Sequence, residues 1–148
     1  MTDIVDKNTR SRMMSGIQGK NTKPELTIRN LLHKEGFRYR LYNKDLPGKP
    51  DLVLKKYKAV IFINGCFWHR HDCKLFKWPE TRKEFWKEKL DKNAQNDSLN
   101  QKKLSDLGWR VCVVWECSIR GADKDPVAVK DRIVKWILSD SAFLEVRE

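Results

Sequence analysis

The segment Ala59-Val60-Ile61-Phe62-Ile63-Asn64-Gly65-Cys66-Phe67-Trp68-His69-Arg70-His71-Asp72-Cys73 runs from an apolar stretch into a cluster of sulfur and nitrogen donors without a break. Five apolar residues in succession, Ala59 to Ile63, predict a strand buried on both faces, and Val111-Cys112-Val113-Val114-Trp115 predicts a second. Between them, residues 81–107 are rich in Lys, Glu, Gln and Leu and stop at Gly108, the pattern of one long helix, straight or kinked. A helix joining two buried strands favours a parallel crossover. Upstream, 51–54 and 58–63 read as a hairpin closed by Lys55-Lys56-Tyr57, with a short strand over 38–41 and a turn at Leu46-Pro47-Gly48-Lys49-Pro50. Thr22-Lys23-Pro24-Glu25 is a capping box that opens a helix burying Ile28, Leu31 and Leu32 and ending at Gly36. Asp125-Pro126 opens a last helix with Val129, Ile133, Trp136 and Ile137 on one face. With a helix near residues 8–17, the order is ααβββαβα: an α/β fold whose central mixed sheet is flanked by helices.

A length of 148 residues without repeats or linker tracts predicts a single domain over 1–148. A net charge of +11 and a pI near 9.6 suit a polyanionic partner. The longest apolar runs fall far short of the roughly 20 residues that cross a bilayer, and the first residues lack a secretory pattern. The expected setting is therefore the cytoplasm, where four cysteines act as metal ligands or buried thiols rather than disulfides.

Two cysteines and two histidines crowd into 66–73, and Cys117 follows the second buried strand. Neighbouring parallel strands would bring their ends together, giving Cys66, His71, Cys73 and Cys117 as four ligands of a structural Zn²⁺. Cys112, inside the Val-rich run, reads instead as a small buried hydrophobe.

Hydrolysis of a phosphodiester calls for a cation held by a carboxylate at a strand edge. Asp51, after Pro50, meets that need, and the backbone carbonyls of Ile63 and Asn64 add hard oxygens suited to Mg²⁺. Glu25 reaches the same region from the first helix. Taken alone, Asp51 also reads as a turn residue and Glu25 as half of the capping box. His69 is the candidate acid or base.

Seven of the fifteen aromatic residues fall within 62–86, with five Lys and Arg among them. Phe67, Trp68 and Trp86 are expected to be available as wedges between bases, whereas Phe62, Phe76, Phe85, Trp109 and Trp136 are expected in the core. Trp86, Lys89 and Asn93 share a helix face, where ammonium and amide donors would read base edges beside an inserted ring.

These residues resemble the very-short-patch repair (Vsr) DNA mismatch endonucleases. The likeness runs through Asp6-Lys7, Thr9-Arg10-Ser11, Leu46 to Asp51, Val60-Ile61-Phe62, Gly65 to His69, His71, Cys73, Thr81-Arg82, Glu84-Phe85-Trp86, Leu107 to Val111 and Val114 to Cys117. It implies a restriction-endonuclease-like fold that nicks 5′ of the thymine in a T:G mismatch left by deaminated methylcytosine. It further implies Mg²⁺ on Asp51 and the Ile63 carbonyl, His69 in water activation, Glu25 in support, and Zn²⁺ on Cys66, His71, Cys73 and Cys117. Phe67, Trp68 and Trp86 would intercalate, Met14 and Ile17 on an N-terminal arm (1–20) would approach from the other groove, and Lys89 and Asn93 would contact the mismatch. The implied partner is mismatched duplex DNA bound by a monomer, alongside mismatch-repair proteins or a cytosine methyltransferase.

The chain departs from the family at Asn64, where a second histidine is frequent. An amide there binds a phosphate or water but shuttles no proton near neutrality, so slower turnover or a shifted pH profile, rather than loss of activity, is expected. Two other readings stand beside the nicking enzyme: a noncatalytic zinc-stabilised DNA-binding module, and a restriction or defence nuclease on the same fold.

Overall fold

The helix-capping signals act where the sequence places them. In the computed structural model, which describes residues 22–121 and 123–148, helix α1 (Lys23–Lys34) starts at Thr22, whose side chain accepts from the Glu25 N–H at 3.4 Å. Helix α3 (Pro126–Ile137) starts at Asp125, whose carboxylate accepts from the N–H groups of Val127 and Ala128. Helix α2 (Lys83–Asp106) is one uninterrupted helix of 24 residues, followed by Gly108 at φ +89, a conformation glycine adopts without a Cβ penalty. The helix expected near 8–17, with Met14 and Ile17, lies outside the described residues.

The strands are β1 (Arg40–Leu41), β2 (Leu52–Leu54), β3 (Ala59–Asn64), β4 (Arg110–Trp115) and β5 (Phe143–Val146), arranged in that order across one sheet. β1, β2 and β3 run antiparallel in succession, the β2–β3 turn being a 3₁₀ segment at Lys55–Tyr57. β3 and β4 are parallel, with α2 as their crossover, and Asn64 lies opposite Trp115 at the end of the ladder. The order ααβββαβα omitted β5, which pairs parallel to β4 after α3 and forms an edge of the sheet.

Alternation along the two central strands builds two cores. Ala59, Ile61 and Ile63 of β3, with Cys112 and Val114 of β4, pack against Ile28 and Leu32 of α1 and Val129, Ile133, Trp136 and Ile137 of α3. Val60, Val111, Val113 and Trp115 point to the other face, where they join Leu104 of α2 together with Cys66 and Cys117. Arg110 fastens the two central connections: its guanidinium donates to the carbonyls of Tyr57, Trp136, Ile137 and Ser141. The consequence for function is positional. β3 and β4 end at the same edge, and the segments that leave them carry Cys66, Phe67, Trp68, His69, His71, Cys73 and Cys117. No described helix is long and apolar enough to cross a membrane.

Candidate active site and metal centre

Asp51 immediately precedes β2, and its Oδ2 accepts the backbone N–H of Ile63 at 2.7 Å, which ties the carboxylate to the carboxyl end of β3. Burial raises its pKa to about 7; the Ile63 N–H opposes the rise and the charge of Glu25 adds to it. Glu25, in the first turn of α1, is 1% exposed. Its Oε2 accepts from Arg29 Nη1 at 3.0 Å and from the Tyr42 hydroxyl. Only the backbone half of the capping box therefore involves Glu25, because its carboxylate is engaged with Arg29 and Tyr42.

Beyond β3, where Asn64 is buried, the chain folds into a tight turn with His69 N–H to Gly65 O at 3.3 Å and His71 N–H to Cys66 O at 2.9 Å. His69 Nδ1 pairs with Asp97 Oδ2 of α2 at 2.5 Å. With the proton on Nδ1 and shared with Asp97, Nε2 is left to accept one from water. Sequence reasoning missed Asp97, although it continues the face already marked by Trp86, Lys89 and Asn93. No hydrogen bond joins His69 to Asp51 among the described residues; what they share is the end of β3. Trp68, His69, Lys89, Asn93, Asn96 and Asp97 line an open cleft of about 260 Å³.

The donor atoms of Cys66, His71, Cys73 and Cys117 lie within 4.8 Å of one another. His71 Nδ1 is 3.6 Å from Cys66 Sγ and 3.5 Å from Cys117 Sγ. A tetrahedral Zn²⁺, with bonds of about 2.3 Å to sulfur and 2.0–2.1 Å to nitrogen, separates such ligands by about 3.6 Å, so the donor set fits that ion. Burial pushes the Cys66 and Cys117 thiols up and the His71 imidazole down, so the thiols keep their protons unless a cation replaces them. Around the cluster, Glu116 Oε1 accepts the Cys66 N–H at 3.2 Å, and the His71 ring stacks on Trp115 with centroids 3.9 Å apart. Just after β5, Glu148 accepts the Lys74 N–H and Arg147 donates to the Asp72 carbonyl, fastening the ligand loop. Cys112 is buried in the opposite core and stays apart from the cluster.

Phe67, Trp68 and Trp86 form one cluster, with centroids 5.2 Å apart for Phe67–Trp68, 5.5 Å for Phe67–Trp86 and 6.1 Å for Trp68–Trp86. Lys89 Nζ lies 5.9 Å from the rings of Trp68, Phe85 and Trp86. Phe85, expected in the core, is 43% exposed under the Arg82 guanidinium. Of two adjacent residues in a helical first turn only one faces inward, and Trp86 takes that place against Phe67. Phe62, Phe76 and Trp109 are half-buried, and Trp136 is buried. Asn93 is not wholly available to a base edge, because its Nδ2 donates to the Trp68 carbonyl at 3.0 Å.

A buried carboxylate and a histidine at the carboxyl end of β3, beside a polar cleft that carries Trp68 and Lys89, have the layout of a hydrolase acting on a polyanion. The profile of the family described as DNA mismatch endonuclease Vsr matches residues 2–75. Over 147 residues the chain is 44% identical to DNA mismatch endonuclease Vsr of Escherichia coli strain K12, covering 99% of this chain and 94% of that protein. It is 47% identical over 120 residues to the type II nicking enzyme V.NmeAIP of Neisseria meningitidis serogroup A, covering 81% and 86% of the two chains. Against the type II nicking enzyme V.XorIIP of Xanthomonas oryzae pv. oryzae it is 42% identical over 119 residues, covering 80% and 88%. The chain belongs to the Vsr family of DNA mismatch endonucleases, and it is a DNA endonuclease of the nicking kind.

Proposed function

We propose that this endonuclease cuts one strand of duplex DNA 5′ of the thymine in a T:G mismatch, in a reaction that requires Mg²⁺, and that its Cys/His cluster holds a structural Zn²⁺. The observation that carries the reading is the buried Asp51 carboxylate, held by the Ile63 N–H at the strand end from which the His69 loop departs. Asp51, the Ile63 carbonyl and Glu25 in support are the groups that would hold Mg²⁺, which when bound supplies charge neutralisation and an acidified water. His69, oriented by Asp97, takes up the proton of the attacking water at Nε2. Asn64 holds a phosphate or water and transfers no proton.

Phe67, Trp68 and Trp86 enter between base steps at the weakened pair, and Lys89 with the Asn93 carbonyl oxygen contacts the mismatched bases. Met14 and Ile17, within residues 1–20, would contact the DNA from the opposite groove. In this reading residues 1–148 form one domain with a restriction-endonuclease-like fold that works as a monomer in the cytoplasm, beside mismatch-repair proteins.

The test is a duplex containing one T:G pair, labelled in turn on each strand and incubated with Mg²⁺. A single nick on the thymine strand, 5′ of the thymine, is the expected result. Cutting of both strands in fully paired DNA would replace the reading with a restriction or defence nuclease. Binding without cleavage of any mismatched duplex would replace it with a noncatalytic DNA-binding module.

A further inference from the structure

Tyr42 stands between the two acids of the site and belongs to none of the groups assigned above. It follows β1 with φ +52, in the left-handed region that a bulky residue occupies only when its surroundings hold it there. Among the described residues, two of its hydrogen bonds reach the acids. Its backbone N–H donates to the Asp51 carbonyl at 3.3 Å, extending the β1–β2 ladder by one residue, and its hydroxyl donates to Glu25 Oε2. The same oxygen takes Arg29 Nη1 at 3.0 Å, while Glu25 Oε1 accepts no hydrogen bond from the described residues. A carboxylate that is 1% exposed needs such donors in place of water, and both reach the same oxygen.

We infer that Tyr42 is a positioning residue: joined at once to the backbone of Asp51 and the side chain of Glu25, it fixes the two carboxyl groups in register as preplaced oxygen ligands for the divalent cation. The aromatic ring fills space, but the hydroxyl sets the pair, so Phe at this position separates packing from positioning. The inference rests on the reading of Asp51 as the cation's ligand.

Mn²⁺ provides the probe, its binding to the full chain without DNA being followed by electron paramagnetic resonance, with Zn²⁺ already supplied. Tyr42→Phe should weaken Mn²⁺ binding by about tenfold, the worth of one hydrogen bond to a charged group. In Mg²⁺ it should lower kcat on mismatched duplex at unchanged KM. Tyr42→Phe combined with Glu25→Gln should bind Mn²⁺ no more weakly than Glu25→Gln alone, because the positioning reaches the cation through that carboxylate. Unchanged Mn²⁺ affinity in Tyr42→Phe, or additive losses in the double variant, would overturn the inference. Asp51→Ala tells the two levels apart. If it keeps wild-type Mn²⁺ affinity, the reading of Asp51 fails; if it loses affinity while Tyr42→Phe does not, the role of Tyr42 alone fails.

Discussion

At the scale of single residues, the site keeps a carboxylate where burial disfavours its charge. Asp51 has a pKa raised to about 7, whereas in the unfolded chain it ionises near 3.8. Between those values the folded protein binds the extra proton, so the stability lost to Asp51 burial grows as pH rises through the window and is complete above it. Asp51→Asn should therefore melt a few degrees higher than wild type at pH 8 in chelator, and the difference should vanish near pH 4. Calorimetry at the two pH values checks this; a variant that melts lower at pH 8 would contradict it. Asp97 offers a second test. Asp97→Asn keeps the shape but removes the charge opposite His69 Nδ1, and turnover should fall about a hundredfold with duplex affinity unchanged, as single-turnover kinetics would show. Asp51, His69 and Glu25 stand out in the sequence as candidates by residue type and position, Asp51 with a turn reading and Glu25 with a capping reading beside it. Asp97 and Tyr42 were not, because each gains its meaning from a contact made across 28 or 17 residues of chain.

At the scale of elements, the strands and helices with strong local signals were readable: α1 and α3 from caps, β3 and β4 from apolar runs, α2 from composition and its terminal glycine. β5 was not, since Phe143-Leu144-Glu145-Val146 is a short edge strand with a single buried residue and gains its identity from pairing with β4. Phe85 was misjudged for a related reason, because periodicity marks a face but cannot say where along α2 the covering elements end. The ligand loop makes the clearest prediction at this scale. Its four donor residues come from both ends of the loop and from Cys117 beyond β4, so a bound ion would close it at one point. Chelation should lower the melting temperature by on the order of ten degrees or more. Cys117→Ser should lower bound zinc below one ion per chain, whereas Cys112→Ser should leave the stoichiometry intact and affect only packing. Metal analysis alongside thermal melts distinguishes the two; equal zinc loss in both variants would contradict the assignment.

At the scale of the whole molecule, a charge of +11 favours binding dominated by the phosphate backbone, and the proposed selectivity for a mismatch draws on the ease of unstacking a faulty pair. Affinity for duplex should fall by on the order of a thousandfold between roughly 50 and 200 mM salt, while the preference for mismatched over paired duplex should change little. Fluorescence anisotropy on the two duplexes checks both quantities. The central claim is that a carboxylate at position 51 supports cleavage of a strand opened by neighbouring rings. Its most direct test is single-turnover cleavage of a T:G duplex in Mg²⁺ by wild type and Asp51→Ala, with binding measured on the same preparations. Wild type should nick the thymine strand once, and Asp51→Ala should bind with similar affinity yet cleave about a thousandfold more slowly or not at all. Cleavage by Asp51→Ala at the wild-type rate would contradict it.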